Sequence, residues 1–558
     1  MDRKPPRATS DEIDLYIRTY YSLLRSSGDV RVRAFEEAHL YSRSSLHLNA
    51  EDEAPDLAAF AYSAGRLPDC MPKIRRIVLG QSPKQFRAAG LPIEKWEVVR
   101  TRGRRRPLRW DGGATLAAFI ASASDIDDLV PIVTAYQIEW NKLRERLLAA
   151  RINDVSDDVQ LADAIGGADA VLRLRGALGP RSNAILADII AHDCDLFVRL
   201  LDGSFREYQR SAHRWWNAIA PAMPSGRPVY FVSSNSHSLA NLLGGYARAH
   251  KDEILAFLRR RNFEDLAPRY DEAVAAGELG LATNILYYSL RAFIHEPGME
   301  SAARMTSVQE SDAASGIRAI ASPGKIDVDA QVIELSLLDP NSLDPRVRVP
   351  GVENITQSRA VIINIDYPLG MAAYHHLSSV AQGVDELRGI YIMGKAATLN
   401  GRVGDVMISK VIHDEHSSNT YLFRNALVAS DVQPFMRHGT VLDNQKALTV
   451  RSAFLQNRDY MDVFYREGYT VMEMEAGPYL SAAYEIAEPR RHPKDELVSL
   501  VDQNALELGI IHYASDTPYS RRQSLLSKSM SYFGMESTYG CASAILRRIF
   551  TSELARLG

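Results

Sequence analysis

The chain is poor in the residues that build stapled, metal-clipped or membrane-spanning proteins. It holds three cysteines, Cys70, Cys194 and Cys541, far apart and without a CxxC or Cys/His spacing. Neither a disulfide framework nor a structural zinc is indicated, and a reducing compartment fits. No run approaches the ~20 apolar residues that span a bilayer, and the polar stretch MDRKPPRATSDEIDLY has no apolar signal core. A cytoplasmic protein without a membrane partner is expected. Charge of one sign is also lacking: the net charge of −4 argues against a general nucleic-acid binder. Internal repeats and low-complexity segments are absent. With 46% hydrophobic and 24% charged residues the composition is that of an ordinary globular protein, and 558 residues suffice for roughly two to four domains.

What is present falls into two parts. From about residue 10 to 220, segments such as DEIDLYIRTYYSLLR, VPIVTAYQIEWNKLRERLLAAR and AILADIIAHDCDLFVRLL repeat apolar residues at three and four, which predicts a helical N-terminal domain over 1–220. Its TRGRRRPLRW stretch gathers Arg102, Arg104, Arg105, Arg106 and Arg109 beside Trp110. Such a cluster can hold phosphate or nucleic acid, but in an acidic chain it reads as a solvated basic loop. The helix-breaking IAPAMPSGRPV at 218–228 marks a boundary. A second domain over 221–558 then opens with the strand VYFVSS, a turn and a helix. It is interrupted at about 250–358 by a helical insertion with one strand, QVIELSLL. Strands and helices alternate afterwards: RAVIINI, MAAYHHLSSVAQGV, RGIYIMG, DVMISKVI, YTVMEME, ELGIIHYAS and a closing helix from about 522. The fold class is α/β, a mixed, mostly parallel sheet flanked by helices on both faces.

Ligands of such sheets gather at the carboxyl ends of strands, and the polar motifs fall there. In VMEMEAGPYL, residues 471–480, Glu473 and Glu475 point to one side of a strand end and Met474 to the other, with Gly477 and Pro478 opening a helix. A helix N-terminus keeps carboxylates ionised, which suits them to accept hydrogen bonds from sugar hydroxyls. In GIYIMGKAATLNGRVGDVMIS, residues 389–409, a strand is expected to end at Gly394. Lys395 follows, then the small residues Ala396 and Ala397 leave backbone amides open to an anion, and Gly404-Asp405 turn into the next strand. GIIHYASDTP delivers Ser515 and Asp516 at a strand end, where a partly desolvated aspartate can hold a proton for transfer.

The order GKAATL-GRVGDVMIS, VMEMEAG and a strand ending in SD resembles the purine nucleoside phosphorylase and nucleosidase superfamily, which includes methylthioadenosine nucleosidase and AMP nucleosidase. The resemblance covers about residues 359–558, with GTVLDNQ at 439–445 similar to the family's strand near the base pocket. It implies a nucleoside-phosphorylase-like fold, with Glu475 as acceptor for ribose hydroxyls, Met474 packed on the sugar and Asp516 as general acid at a purine N7. SSNSHS lacks the glutamate that activates water in the methylthioadenosine-type nucleosidases, and His237 or Glu473 is the candidate replacement, with Asn235 beside it in the same turn. Lys395, Arg424 and His413 are candidates for holding a phosphate on the substrate. HDEHSS at 413–418 offers two histidines three apart and no third ligand, so no metal is expected; His375 and His376 are read as structural. No cofactor is implied, and family members are oligomers. The activity expected is hydrolysis of the N-glycosidic bond of a purine nucleoside or nucleotide. The alternatives are phosphorolysis, with phosphate as a second partner, and a nucleotide-binding sensor without catalysis.

Overall fold

The structure, a computed structural model, describes residues 10–26, 28–104, 106–298, 300–322, 326–488, 493–501, 506–517 and 532–558. Its first sheet comprises β1 (Val30–Arg31), β2 (Arg76–Gly80), β3 (Glu97–Val99), β4 (Leu108–Trp110), β5 (Thr115–Phe119) and β6 (Phe197–Leu200), in the order β1-β6-β2-β5-β4-β3. The N-terminal part is therefore α/β and not all-helical as its periodicity predicts. The strands span two to five residues each, and the long flanking helices dominate any window wide enough to show a period. Tyr16, Phe35, Phe60, Trp140 and Leu186 form the core of this region, and Phe454 and Leu455 from the C-terminal part insert into it. Along the helix Ala123–Ala149 the first half is buried almost all round, Asp125, Asp127 and Asp128 included.

The second sheet has eleven strands: β7 (Val229–Ser234), β8 (Ile317–Ile320), β9 (Ala330–Glu334), β10 (Val361–Asp366), β11 (Leu387–Thr398), β12 (Val406–Asp414), β13 (Asn419–Leu422), β14 (Val441–Thr449), β15 (Tyr469–Glu473), β16 (Leu497–Ser499) and β17 (Glu507–Asp516). Six of its eleven ladders are parallel, so the sheet is mixed. β7 and β10 are buried at every position, the mark of strands covered on both faces. The pairings β11–β17, β17–β12, β12–β14, β14–β15 and β15–β11 close into a ring of five strands. Closure leaves these strands no free edges and brings the ends of β11, β15 and β17 together.

Helices cover both faces of this sheet. Leu242, Leu286 and Ile545 belong to the core on one side, and Trp215, Leu377 and Tyr479 to the core on the other. Four helices between residues 251 and 314 lie in the connection from β7 to its neighbour β10. The strand expected over QVIELSLL is shorter, Ala330–Glu334, because the chain turns into a 3-10 helix at Leu335–Leu337; it pairs with β8 and β10 and so extends the sheet. The closing helix is Tyr532–Leu557, and the first part of the range expected for it lies outside the described residues. No helix among the described residues is long and apolar enough to cross a membrane.

Candidate active site

The end of β11 organises the site. Ala397 has Met472 of β15 opposite it on one side and Asp516 of β17 on the other. Strands in a ladder lie ~4.8 Å apart, so the ends of β15 and β17 face each other across β11 at about 10 Å. β11 does not stop at Gly394 but runs on to Thr398. Ala396 and Ala397 are ladder positions, so the open anion cradle expected from their amides after Gly394 does not form. A Cβ at Gly394 would meet Tyr367 and His512 at ordinary contact distances, so packing does not demand a glycine there. Buried Ser515 donates from Oγ to the Asp516 carboxylate at 2.9 Å and reaches the Ala396 carbonyl at 3.3 Å. The Gly404-Asp405 turn forms as expected: Asp405 accepts from Arg402 N and Thr440 N, each at 2.8 Å, and β12 starts at Val406.

The two glutamates of VMEMEAG divide their work unequally. Glu473 is buried and its oxygens are occupied: one accepts from Thr449 Oγ1, the other from the backbone N–H groups of Glu475 and Ala476 at 2.7 Å each. It thereby caps the helix Ala476–Ala487, whose Gly477 is forced by Asp414, into which any Cβ would run. Glu475 accepts only from Met474 N, at 3.3 Å, and among the described residues its other oxygen has no partner. The helix N-terminus does not keep the pair ionised as expected. Burial pushes Glu473 up to about 7. Burial and then the neighbouring Glu473 charge push Glu475 up to about 8, against the pull of Arg104. Desolvation of a carboxylate outweighs a half-charge of helix dipole here.

The N-terminal region closes the other side. Arg104 Nη2 donates to Asp128 Oδ1 at 2.9 Å and lies 3.9 Å from Met474 Sδ. Arg106 is buried on Asp125 and Asp128, at 3.2 and 3.0 Å. Arg104 and Arg106 are thus site and interface residues, not a solvated loop; Arg105 lies outside the described residues. Arg66 sits over the Tyr62 ring, 3.3 Å from its centroid, with Nη1 on the Tyr62 carbonyl at 3.2 Å. Burial opposes the charge of Arg104, but Asp128, Tyr62 and Glu475 more than offset it. Arg66 is lowered by burial, while Asp516 is among the groups holding its charge. Lys395 is exposed on the rim beside Asp516; the crowding of protein around its ammonium and then Arg66 lower it, against the pull of Asp516. Tyr62 feels Arg66, Arg104, Asp128 and Asp516 alike. Glu475, Met474, Lys395, Ser515 and Asp516 therefore face one region with Tyr62, Arg66 and Arg104.

The remaining sequence candidates belong to other elements. Asn235 is buried and caps the helix Ser238–Gly244, its Oδ1 accepting from His237 N at 3.1 Å and Ser238 N at 2.7 Å; His237 is exposed at that helix start. Arg424 is exposed and adjoins Asn425, which bridges to Leu508 at the opposite end of β17 from Asp516. Eight residues at ~3.3 Å each put it about 26 Å from the site, so it does not belong there. His413 is held by Thr420 Oγ1 at 2.8 Å on β13, away from both catalytic candidates, because alternation along β12 turns it from buried Asp414. Asp414 accepts from His416 Nδ1 at 2.9 Å and from Ser417 Oγ at 2.6 Å, and His416 Nε2 contacts Ser124 Oγ of the N-terminal region at 3.2 Å. The HDEHSS acids are used in fixing this loop. His375 and His376 are buried, packed on Tyr208 and Trp215. Sequence reasoning missed Tyr62, Arg66 and Asp128. The available signal was SDIDDLV at 124–130: acids set in an apolar helix need cations.

The model of a family of unknown function (DUF6909) matches residues 32–551. No curated protein matches the chain. Similar solved structures include a 5′-methylthioadenosine/S-adenosylhomocysteine nucleosidase from S. pneumoniae with a transition-state inhibitor, at 11% identity and a TM-score of 0.29 over 44% of this chain and 94% of that one. A nucleosidase of the same name from Neisseria meningitidis shows 11% identity and a TM-score of 0.28 over 46% and 96%. A uridine phosphorylase from Schistosoma mansoni in complex with uracil shows 12% identity and a TM-score of 0.26 over 34% and 71%.

Proposed function

The chain belongs to DUF6909, a family of unknown function, and from the site it carries we propose that it hydrolyses the N-glycosidic bond of a purine nucleoside or nucleotide and releases the free base. What supports this reading is that the end of β15, two residues before Glu475, and Asp516 of β17 lie on either side of β11 at Ala397, with Arg104 acting on Glu475 and Arg66 on Asp516. It is joined by the motif order that resembles the nucleoside phosphorylase and nucleosidase superfamily.

In the reaction the C1′–N9 bond breaks, its electron pair leaves with the base, and the water oxygen bonds C1′ and gives up a proton to solvent, from which Asp516 is reprotonated. Asp516 donates a proton to the departing purine at N7, and Ser515 Oγ orients its carboxyl group. Glu475, with one oxygen unoccupied, accepts from the ribose hydroxyls and places negative charge where the sugar becomes cationic. Both interactions strengthen as charge separates, which is what lowers a barrier. The Glu473 oxygens are taken up by Thr449 Oγ1 and the Glu475 and Ala476 N–H groups, which makes it a poor water activator.

The direct test is to incubate the protein with purine nucleosides and nucleoside phosphates, with and without inorganic phosphate, and follow free base by chromatography. Release independent of phosphate is expected; release only with phosphate makes the enzyme a phosphorylase, and binding without release makes it a sensor. A pH profile adds a second check. Glu475 must be ionised to accept two hydroxyl protons, and its raised value in the free protein means that kcat/KM rises as pH increases through about 8. In Glu475→Gln that rising limb disappears.

A further inference from the structure

The cationic side of this site is supplied largely by the N-terminal region, and its acids do not use all of its donors. Arg104 spends Nη2 on Asp128, a carboxylate that it shares with Arg106, and Arg106 is further held by Asp125. That leaves the Nε donors of Arg66 and Arg104, buried and without a hydrogen-bond partner among the described residues. The Arg66 guanidinium is held over the Tyr62 ring with Nη1 on the Tyr62 carbonyl. Lys395 extends from the β11 rim and makes no ion pair among the described residues. Buried donors without acceptors are costly, and three cations brought within range of one another repel. Such a set is stabilised when a doubly charged anion enters, and a planar guanidinium matches phosphate geometry with two parallel hydrogen bonds. Its position fits a substituent on the sugar, since Arg104 touches Met474, beside the Glu475 that reads the hydroxyls, while Arg66 and Lys395 flank Asp516.

We propose that Arg66 and Arg104 of the N-terminal region, with Lys395, form a phosphate-binding wall that completes the site, so that the ligand is a phosphorylated one. This rests on the glycosidic-bond reading for the identity of the ligand's sugar and base, but not for the anion itself. Phosphate has two sources, the 5′ position of a nucleotide or the free ion, and the shared chemistry is a phosphate dianion against three cations.

Binding can be read without turnover. Thermal denaturation of the full chain is followed with ribose 5-phosphate, with inorganic phosphate and with ribose alone, for the wild-type protein and for Arg66→Gln and Lys395→Gln, neither of which breaks an ion pair. The expected result is stabilisation by ribose 5-phosphate and not by ribose, with the midpoint ligand concentration raised at least 10-fold in both variants. The ratio of kcat/KM for a purine nucleoside monophosphate over the nucleoside then falls at least 10-fold in the same variants. Stabilisation by inorganic phosphate, lost in the variants and accompanied by phosphate-dependent base release, supports the same wall with the free ion as its ligand. Binding of ribose 5-phosphate without base release from any purine compound keeps the wall and removes the nucleosidase reading. Base release with no preference for the nucleotide and no stabilisation by either phosphate compound overturns the wall and keeps the nucleosidase reading. Equal stabilisation of the wild-type protein and both variants also overturns it.

Discussion

Asp516→Asn and Glu475→Gln are each expected to lower base release by ~10²–10⁴-fold, the range a positioned proton donor or its charged counterpart supplies. The two losses differ in kind. Asp516 acts on the leaving base, so its replacement lowers kcat with little change in KM, the signature of an interaction made in the transition state. Glu475 binds ribose before and during bond breaking, so its replacement raises KM as well. Loss of fold does not explain the Glu475 result. Glu475 has a folded value of about 8 against an ordinary 4.5, so the folded protein holds a proton that the unfolded chain gives up between those values. Its contribution is fully favourable below about 4.5 and is lost as pH rises through about 8. Glu475→Gln removes that penalty, and its melting temperature at pH 9 is expected to equal or exceed that of the wild-type protein. Activity lost from a chain that melts no earlier is a loss at the site.

The largest effect on stability is expected from Arg106. It is 4% exposed and binds Asp125 and Asp128 together. Asp125 also caps the helix Ala123–Ala149 through Ala121 N at 2.7 Å and Ser122 N at 3.2 Å. Arg106→Met leaves two carboxylates away from water with Arg104 as the remaining guanidinium on Asp128. Stranding one side of a buried pair costs ~3–5 kcal/mol, and here the same helix start meets the helix Met371–Gly383 of the C-terminal part, where Ser124 Oγ accepts from Met371 N at 2.9 Å. Denaturant unfolding should show the N-terminal region melting early and base release falling with it. A cost below about 1 kcal/mol means that the acids are hydrated and the interface is looser than described. Adding Asp128→Asn to Arg106→Met should recover part of the loss, since a neutral amide needs no counter-charge.

Much of the second sheet is legible in the chain because its strands are buried on both faces and so read as continuous apolar runs: VIINID, VYFVSS and GIIHYAS form β10, β7 and part of β17. Turn chemistry at Gly404-Asp405 is equally local. The N-terminal sheet escapes because its strands are short and owe their existence to partners distant in sequence, β2 pairing with β6 more than a hundred residues on. At the site, Glu475, Ser515 and Asp516 are announced by their strand ends. Arg424 and His413 were candidates because proximity in sequence to a motif looks like proximity in space, whereas β13 carries Arg424 to the far end of β17. The carboxylate values failed for another reason: helix dipoles are local and visible, but desolvation depends on how the N-terminal region covers the site. The same cover explains why TRGRRR reads as surface until SDIDDLV, about 20 residues later, is seen to neutralise it.

The account stands on Glu475 and Asp516 serving a single bound molecule, and a crystal of Asp516→Asn grown with a purine nucleoside 5′-monophosphate addresses it most directly. The result anticipated is one ligand with ribose hydroxyls about 2.6–3.0 Å from the Glu475 carboxylate, its base edge against residue 516 and its phosphate toward Arg66 and Arg104. A nucleotide bound with its base away from residue 516, or its sugar out of reach of Glu475, contradicts it.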